Sequence, residues 1–90
     1  MISPRVAVFG SHPILTITVE SRATDDSDDI HVHAGGQGVW VARMAGELGA
    51  SPVLCGTVGG ETGAVIAGLL QSLPFDTRLV SVAAASGCYV

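Results

Sequence analysis

The chain has 90 residues, a formal net charge of −4 and only 13% charged residues. An apolar content of 48% excludes a disordered chain, and the length allows at most one small domain. All four basic residues are arginines, which excludes a Walker A lysine, a Schiff-base lysine and a basic stripe for nucleic acid. So much apolar surface on so short a chain predicts low stability in isolation and cover by a partner or by more polypeptide.

The cysteines and the N-terminus indicate the compartment. Cys55 and Cys88 stand outside any Cys-x-x-Cys pair and predict buried free thiols in a reducing environment. The N-terminal residues contain no signal-peptide core, and no 18-residue apolar segment exists. We expect a cytoplasmic protein with no membrane or nucleic-acid partner.

The first third of the chain predicts strands. Residues 6–9 are short, apolar and β-branched, which predicts a buried first strand. Residues 14–19 and 30–33 alternate with period two and predict a separate, partly exposed sheet. Residues 21–29 predict an acidic loop between them, of which 22–29 is the only linker-like stretch.

From Gly38 onward the apolar residues follow the spacing of a helix. An apolar stripe at i, i+3, i+4 and i+7 predicts a helix ending at Gly49, with a second face of small residues that lets a neighbouring backbone come close. The stripe consists of Val41, Met44, Ala45 and Leu48, and the small face of Gly38, Ala42 and Gly46.

The second half of the chain alternates strand and helix. Residues 52–58 predict a strand, Gly59 and Gly60 a turn, and Pro74 the end of a second helix. That helix has its apolar residues at Ile66, Leu69, Leu70 and Leu73. Residues 78–82 and 88–90 are further strand candidates, separated by the small residues 83–87. The order predicts an α/β fold built of βαβ units around a mainly parallel sheet.

The glycines at the first helix start predict a ligand site. Gly35, Gly36 and Gly38 let the backbone approach a ligand and aim free N–H groups at it. The alternative is a tight turn with a helix cap, and the downstream spacing to Ala42 and Gly49 favours the ligand.

This run resembles the first signature of the ribokinase-like (pfkB) carbohydrate kinases, in which a Gly-Gly-x-Gly-x-Asn-x-Ala run opens a helix. The resemblance implies that residues 1–90 form the N-terminal part of one carbohydrate kinase domain, incomplete in this chain. It implies a mainly parallel βαβ core with a small β lid formed by strands at about 14–19 and 30–33. Lids of this kind often form a dimer contact, so a homodimer through the lid is expected.

The resemblance also implies the function and the sugar-binding positions. Family members transfer the ATP γ-phosphate to a sugar or sugar-phosphate hydroxyl, using ATP and Mg²⁺. The positions corresponding to their sugar contacts are His12, Thr16, Gly35, Gly36, Gln37 and Trp40. Thr16 stands where the family has Asp, Trp40 where it has Asn, and Gln37 where a cation is usual.

The catalytic part of the family pattern is not in this sequence. Family members use a later Asp-Thr-x-Gly-Ala-Gly-Asp run, whose last Asp is the base and whose N–H groups stabilise the moving phosphoryl group. No such run occurs in these 90 residues, and Gly59 to Gly63 instead matches a family turn at a helix start, with Glu61 in the Asp place. We therefore expect no catalytic residue, no ATP-binding residues and no kinase activity from this chain alone.

Two alternative functions remain open, whereas two patterns that resemble metal sites are incomplete. The chain could be a non-catalytic sugar- or nucleoside-binding module, or a piece that dimerises through the lid. His31 and His33 share a strand face but have no third ligand at a metal spacing. The acidic residues 25, 26, 28 and 29 lack the glycine and glutamate of a calcium loop, which leaves no metal expected.

Overall fold

The computed structural model describes residues 3–10, 12–21 and 28–90. Strands and helices alternate over residues 28–81, so the predicted α/β class is confirmed. The elements in chain order are β1 Arg5–Phe9, β2 Ile14–Ser21, β3 Asp28–Gly35, α1 Gln37–Glu47, β4 Ser51–Val58, α2 Gly60–Gln71, β5 Asp76–Ser81 and β6 Cys88–Tyr89.

The first sheet is parallel and carries both helices on one face. Its order is β1-β4-β5, with Val8 paired to Leu54 and Leu54 to Thr77. Alternate residues of β4 are buried. Gly46 of α1 lies next to Pro52, which is one of these buried residues. Gly63 of α2 lies next to Val58, which is another. Because these β4 residues share one face, so do the helices. The core contains Val8, Leu15, Val39, Ala42, Leu54, Val58, Ile66 and Leu70.

The opposite face of this sheet is open in the part of the chain that the structure describes. The register places Phe9 beside Cys55, and Val80 beside Thr57 on that face. Phe9 is 77% exposed. The prediction of a buried first strand is therefore wrong for all of β1 except Val8, since β1 lies at the outer position of the described sheet with one face uncovered.

The second sheet confirms the separate, partly exposed sheet expected from residues 14–19 and 30–33. Its order is β3-β2-β6, and β2 pairs antiparallel with β3 from Ile14 opposite Gly35 to Ser21 opposite Asp28. Leu15 is buried in the core, Ile17 and Ala34 pack against it, and α2 contacts both strands. We call β2 and β3 the lid strands.

Two sequence expectations about this sheet need correction. Ser21 belongs to β2, and Asp28 and Asp29 belong to β3, so only residues 22–27 of the expected acidic loop remain, and they lie outside the described residues. The strand at 88–90 is β6, which pairs parallel with β2 through Cys88 and Tyr89 and does not extend the parallel sheet. The carbonyl of Gly87 accepts a hydrogen bond from Leu15 N–H at 3.0 Å, which anchors this segment to β2.

The predicted helices both form, but α1 does not bury the predicted apolar stripe. Val41, Met44 and Leu48 of that stripe are 48%, 60% and 83% exposed, whereas Val39 and Ala42 are buried. Of the predicted small face, Ala42 is buried and Gly38 lies against Gly10 as expected, but Gly46 is exposed. In α2 the expected face is confirmed, with Ile66 and Leu70 fully buried and Leu69 and Leu73 packed against the core.

The cysteines and the helix lengths add two facts. Cys55 is half-buried and Cys88 is exposed, so the expectation of two buried thiols is wrong for Cys88, which lies on the short strand β6. Neither α1 nor α2, the helices of the described residues, is long and apolar enough to cross a membrane.

Candidate ligand-binding site

The first turn of α1 starts without a side-chain cap. Its N-cap is Gly36, with φ 107° and ψ 160°, a conformation that L side chains rarely adopt. No side chain of the described residues caps the turn, and its first four residues include no carboxylate. The first N–H groups of a helix have no partner within the helix and attract anions and polar ligands, so this start is open to a ligand.

Three glycines bring β1, α1 and β4 together beneath that start. A Cβ on Gly38 would lie 2.5 Å from Cα of Gly10, and a Cβ on Gly56 would collide with the Gly10 carbonyl oxygen. The Gly10 N–H donates to the Cys55 carbonyl at 2.9 Å, which fixes the end of β1 against β4. Backbone contacts therefore determine where α1 begins.

A cavity of about 520 Å³ adjoins this helix start. It lies between the end of β1, the segment His12–Pro13 and residues 35–38, and we call it the loop cavity. Four of the six sequence-predicted residues line it: His12, Gly35, Gly36 and Gln37. Backbone amides, an imidazole and a carboxamide in one concave site are suited to sugar hydroxyls.

A second cavity of about 340 Å³ lies between the lid strands and α1. We call it the lid cavity, and it contains the two remaining predicted residues, Thr16 and Trp40. Gly35 and Val39 line both cavities, so the two are adjacent. The structure thus places all six predicted residues in two adjoining cavities.

Gly35 brings the lid against the helix start. A Cβ on Gly35 would lie 3.0 Å from Thr16 Oγ1, closer than most side chains tolerate. Thr16 pairs across the lid strands with His33, which lines the same cavity. The absence of a side chain at Gly35 therefore keeps the Thr16 hydroxyl at the boundary between the cavities.

Two polar residues of the lid cavity, His33 and Arg43, are not among the predicted site residues. The sequence indicates His33 as a candidate metal ligand and assigns no role to Arg43. The Arg43 guanidinium carbon lies 5.6 Å from the centre of the Trp40 ring, within the range of a cation–π interaction. The i, i+3 spacing of Trp40 and Arg43 could have indicated this contact. Finding His33 required the register of the lid strands.

His31 and His33 form a stacked pair on the lid. Their ring centres are 6.3 Å apart with planes 10° from parallel, and both residues are exposed. In the described parts of the chain, no three His, Cys, Asp or Glu side chains are grouped as a metal site would require. Residues 25 and 26 of the candidate calcium loop lie outside those parts.

The glycine-rich start of α2 is filled by the chain itself. Ser86 Oγ accepts a hydrogen bond from Gly59 N–H at 3.0 Å, and Ser86 N–H donates to the Gly59 carbonyl at 2.9 Å. A Cβ on Gly59 would collide with the Ala84 carbonyl oxygen. Residues 82–86 thus pack against the N-cap of α2, whereas a cavity adjoins the start of α1.

Comparison with known proteins defines the fold. No protein-family model matches the sequence, and no curated protein matches it. Solved structures do match, and they are carbohydrate kinases of the PfkB type. The expected ribokinase-like fold is thereby confirmed as the architecture of this chain.

The similar structures include two named phosphofructokinases. Phosphofructokinase-2 from Escherichia coli, in complex with substrates and products, matches 93% of this chain with a TM-score of 0.73 and 21% identity. A putative phosphofructokinase from Staphylococcus aureus matches 92% with a TM-score of 0.71 and 19% identity. A microbiome-derived acarbose kinase matches 96% with a TM-score of 0.63 and 16% identity. The chain spans only 29% to 31% of the length of these kinases.

Proposed function

We propose that this chain is the N-terminal part of a carbohydrate kinase domain and supplies its sugar-binding surface. The observation that carries the proposal is the uncapped start of α1, which opens beside two adjoining cavities lined by all six predicted residues. The likeness to kinases that act on carbohydrates supports the same assignment. The proposed reaction is transfer of the ATP γ-phosphate to a sugar or sugar-phosphate hydroxyl.

Each part of the site has a separate role in this proposal. Backbone N–H groups at the α1 start, with Gln37 and His12, hold hydroxyls in the loop cavity. Thr16 and Trp40 contact the sugar from the lid side, with the indole as a flat apolar surface and one N–H donor. ATP, Mg²⁺ and the catalytic base bind and act in polypeptide beyond this chain, since these residues contain no Gly-Ala-Gly-Asp run.

The test uses the protein made from the complete reading frame. We expect that frame to encode a Gly-Ala-Gly-Asp run and its product to phosphorylate a sugar only when ATP and Mg²⁺ are both present. Replacing the last Asp of that run by Asn should abolish transfer and leave calorimetric sugar binding intact. A full-length protein that binds sugars with no dependence on ATP would instead establish the non-catalytic binding module.

A second role, dimerisation through the lid, is favoured by one observation. Val19 and Ile30 are a cross-strand pair at the far end of the lid strands and are 52% and 66% exposed, with Val32 nearby at 41%. Contiguous exposed apolar residues mark association surfaces. We propose that this end of the lid contacts a second copy, in a cytoplasmic protein that binds neither membranes nor nucleic acid.

A further inference from the structure

We propose that the lid cavity is an anion subsite, in which Arg43, stacked on Trp40, binds a carboxylate or phosphate carried by a sugar-like ligand. This inference rests on the proposed sugar-binding role of the loop cavity. It names the substrate class as a charged sugar, either a sugar acid or a sugar phosphate.

The lid cavity carries a positive charge. The chain has a net charge of −4, yet among the residues that the structure describes no Asp or Glu lines the lid cavity, and Arg43 carries the one formal charge there. Within residues 3–10, 12–21 and 28–90 no carboxylate forms an ion pair with Arg43. Its guanidinium donors are therefore available to an incoming anion.

The Trp40 ring holds the Arg43 guanidinium in place. Its guanidinium lies over the Trp40 ring at 5.6 Å, and both side chains line the cavity although they extend from an exposed part of α1. Stacking on an aromatic ring restricts a guanidinium to fewer orientations and leaves its edge donors free. A planar fork of N–H groups fixed in this way matches the two oxygens of a carboxylate or a phosphate.

Two other hydrogen-bond donors line the lid cavity beside Arg43. The hydroxyl of Thr16 and the imidazole of His33, paired across the lid strands, line the same cavity. A hydroxyl and a ring N–H can each donate to an anion, whereas the family's carboxylate at the Thr16 position would repel one. Thr16 in that position therefore suits a charged ligand better than a neutral one.

The lid cavity lies beside the loop cavity, which is the proposed sugar site. Gly35 and Val39 line both cavities, so a ligand with its hydroxyls in the loop cavity can extend its charged end toward Arg43. The volume of about 340 Å³ has room for a phosphate or carboxylate group together with several waters, at about 30 Å³ per water in the liquid. The two cavities together fit one charged sugar.

The experiment compares three probes by calorimetry on the full-length protein: D-glucose, D-gluconate and D-glucose 6-phosphate. Wild type should bind at least one charged probe at least about tenfold more tightly than glucose, and the preference should shrink as salt is raised. The better charged probe identifies the source of the anion. Arg43→Gln should remove the preference and leave glucose affinity within about twofold, because the side chain is exposed and its loss leaves the fold intact.

Two further variants separate the role of Arg43 from general charge. Arg43→Lys keeps the charge and loses the planar fork, so it should retain only part of the preference. Arg78→Gln is the matched control, because Arg78 is exposed on β5, lines neither cavity and donates to the Thr77 carbonyl. It should bind all three probes as wild type does.

The outcomes distinguish this inference from the function on which it rests. Wild type that binds glucose and both charged probes equally overturns the anion subsite and leaves the sugar site standing. An Arg43→Gln variant that weakens glucose as much as the charged probes also overturns it, since Arg43 then acts only on the shape of the site. Wild type that binds none of the three probes overturns both proposals.

Discussion

Gly38 at the start of α1 crosses directly over Gly10 at the end of β1. A Cβ on Gly38 would lie 2.5 Å from Cα of Gly10, and a Cβ on Gly10 would lie 2.9 Å from Cα of Gly38. Both positions thus exclude any side chain for the same reason. This crossing forms the floor between the parallel sheet and the loop cavity.

The crossing predicts a large stability difference between two glycine substitutions. Gly38→Ala should lower the free energy of unfolding by about 2 to 3 kcal/mol or more, because the new methyl group meets backbone that cannot move aside. Gly68→Ala is the control, since Gly68 lies within α2 with no atom within 4 Å of its Cβ position, and it should stabilise by about 0.5 to 1 kcal/mol. Urea unfolding measures both. Equal effects at the two positions would contradict the close crossing.

The Thr16 position predicts a change in ligand preference. Thr16→Asp should favour glucose over glucose 6-phosphate by about tenfold more than wild type does, measured as the ratio of the two dissociation constants. The reason is that a carboxylate accepts hydrogen bonds from sugar hydroxyls and repels a phosphate. Thr18→Asp is the control, because Thr18 lies on the same face of β2 and outside both cavities. Calorimetry gives the ratio. A shift of the same size in both variants would show a long-range charge effect.

Trp40 predicts a change in binding without a change in stability. Trp40 is 63% exposed, so Trp40→Ala should alter the free energy of unfolding by less than about 0.5 kcal/mol. Loss of the ring frees Arg43 and should weaken binding of a charged sugar by about twofold to fivefold. Met44→Ala, 60% exposed on the same helix and outside both cavities, should affect neither. Marked destabilisation by Trp40→Ala would place the ring in the core.

The closed start of α2 predicts a stabilising role for Ser86. Ser86→Ala removes the acceptor of the Gly59 N–H and should lower the free energy of unfolding by about 1 kcal/mol. Ser72→Ala removes an exposed hydrogen bond to the Leu69 carbonyl and should cost less than about 0.5 kcal/mol. Urea unfolding compares the pair, and an unchanged midpoint for Ser86→Ala would show that water replaces the hydroxyl.

The lid predicts the oligomeric state. Ile30→Glu places a charge in the exposed apolar end of the lid and should convert a dimer of the full-length protein to monomers. Leu48→Glu is the control, because Leu48 is 83% exposed on the other side of the site, after α1, and should leave the dimer intact. Sedimentation measures the mass of each. A wild-type protein that is already monomeric at high concentration would contradict dimerisation through the lid.

Local pattern predicted most of the elements, and the family resemblance indicated six positions that each line one or both cavities. Three of these features depend only on residues that are neighbours in sequence: the change of period after the glycine run, the turn at Gly59 and Gly60, and the alternation along β2. Which face of a helix is buried depends instead on the strands against which the helix packs. Val41, Met44 and Leu48 have the stronger apolar pattern, but Gly38 lies against Gly10, and the helix buries Val39 and Ala42 instead.

Long-range pairing explains what sequence reasoning missed. Cys88 and Tyr89 carry too short a pattern to indicate that β6 joins β2. His33 enters the site only because the register of β2 and β3 places it opposite Thr16. Arg43 looks like a solvent-facing helix residue until the lid strands form a cavity beside it.

The floor of the site is made of glycine backbone, and its selectivity resides in side chains that stand above it. Gly10 and Gly38 line the loop cavity through their backbone and Gly56 packs beneath Gly10, whereas Thr16, Gln37 and Trp40 are the side chains that we propose select the ligand. None of these three side chains belongs to the buried core. Such a division lets the side chains around the cavities be exchanged one at a time at little cost to folding, which makes this site a suitable starting point for redirecting the proposed recognition surface toward new ligands.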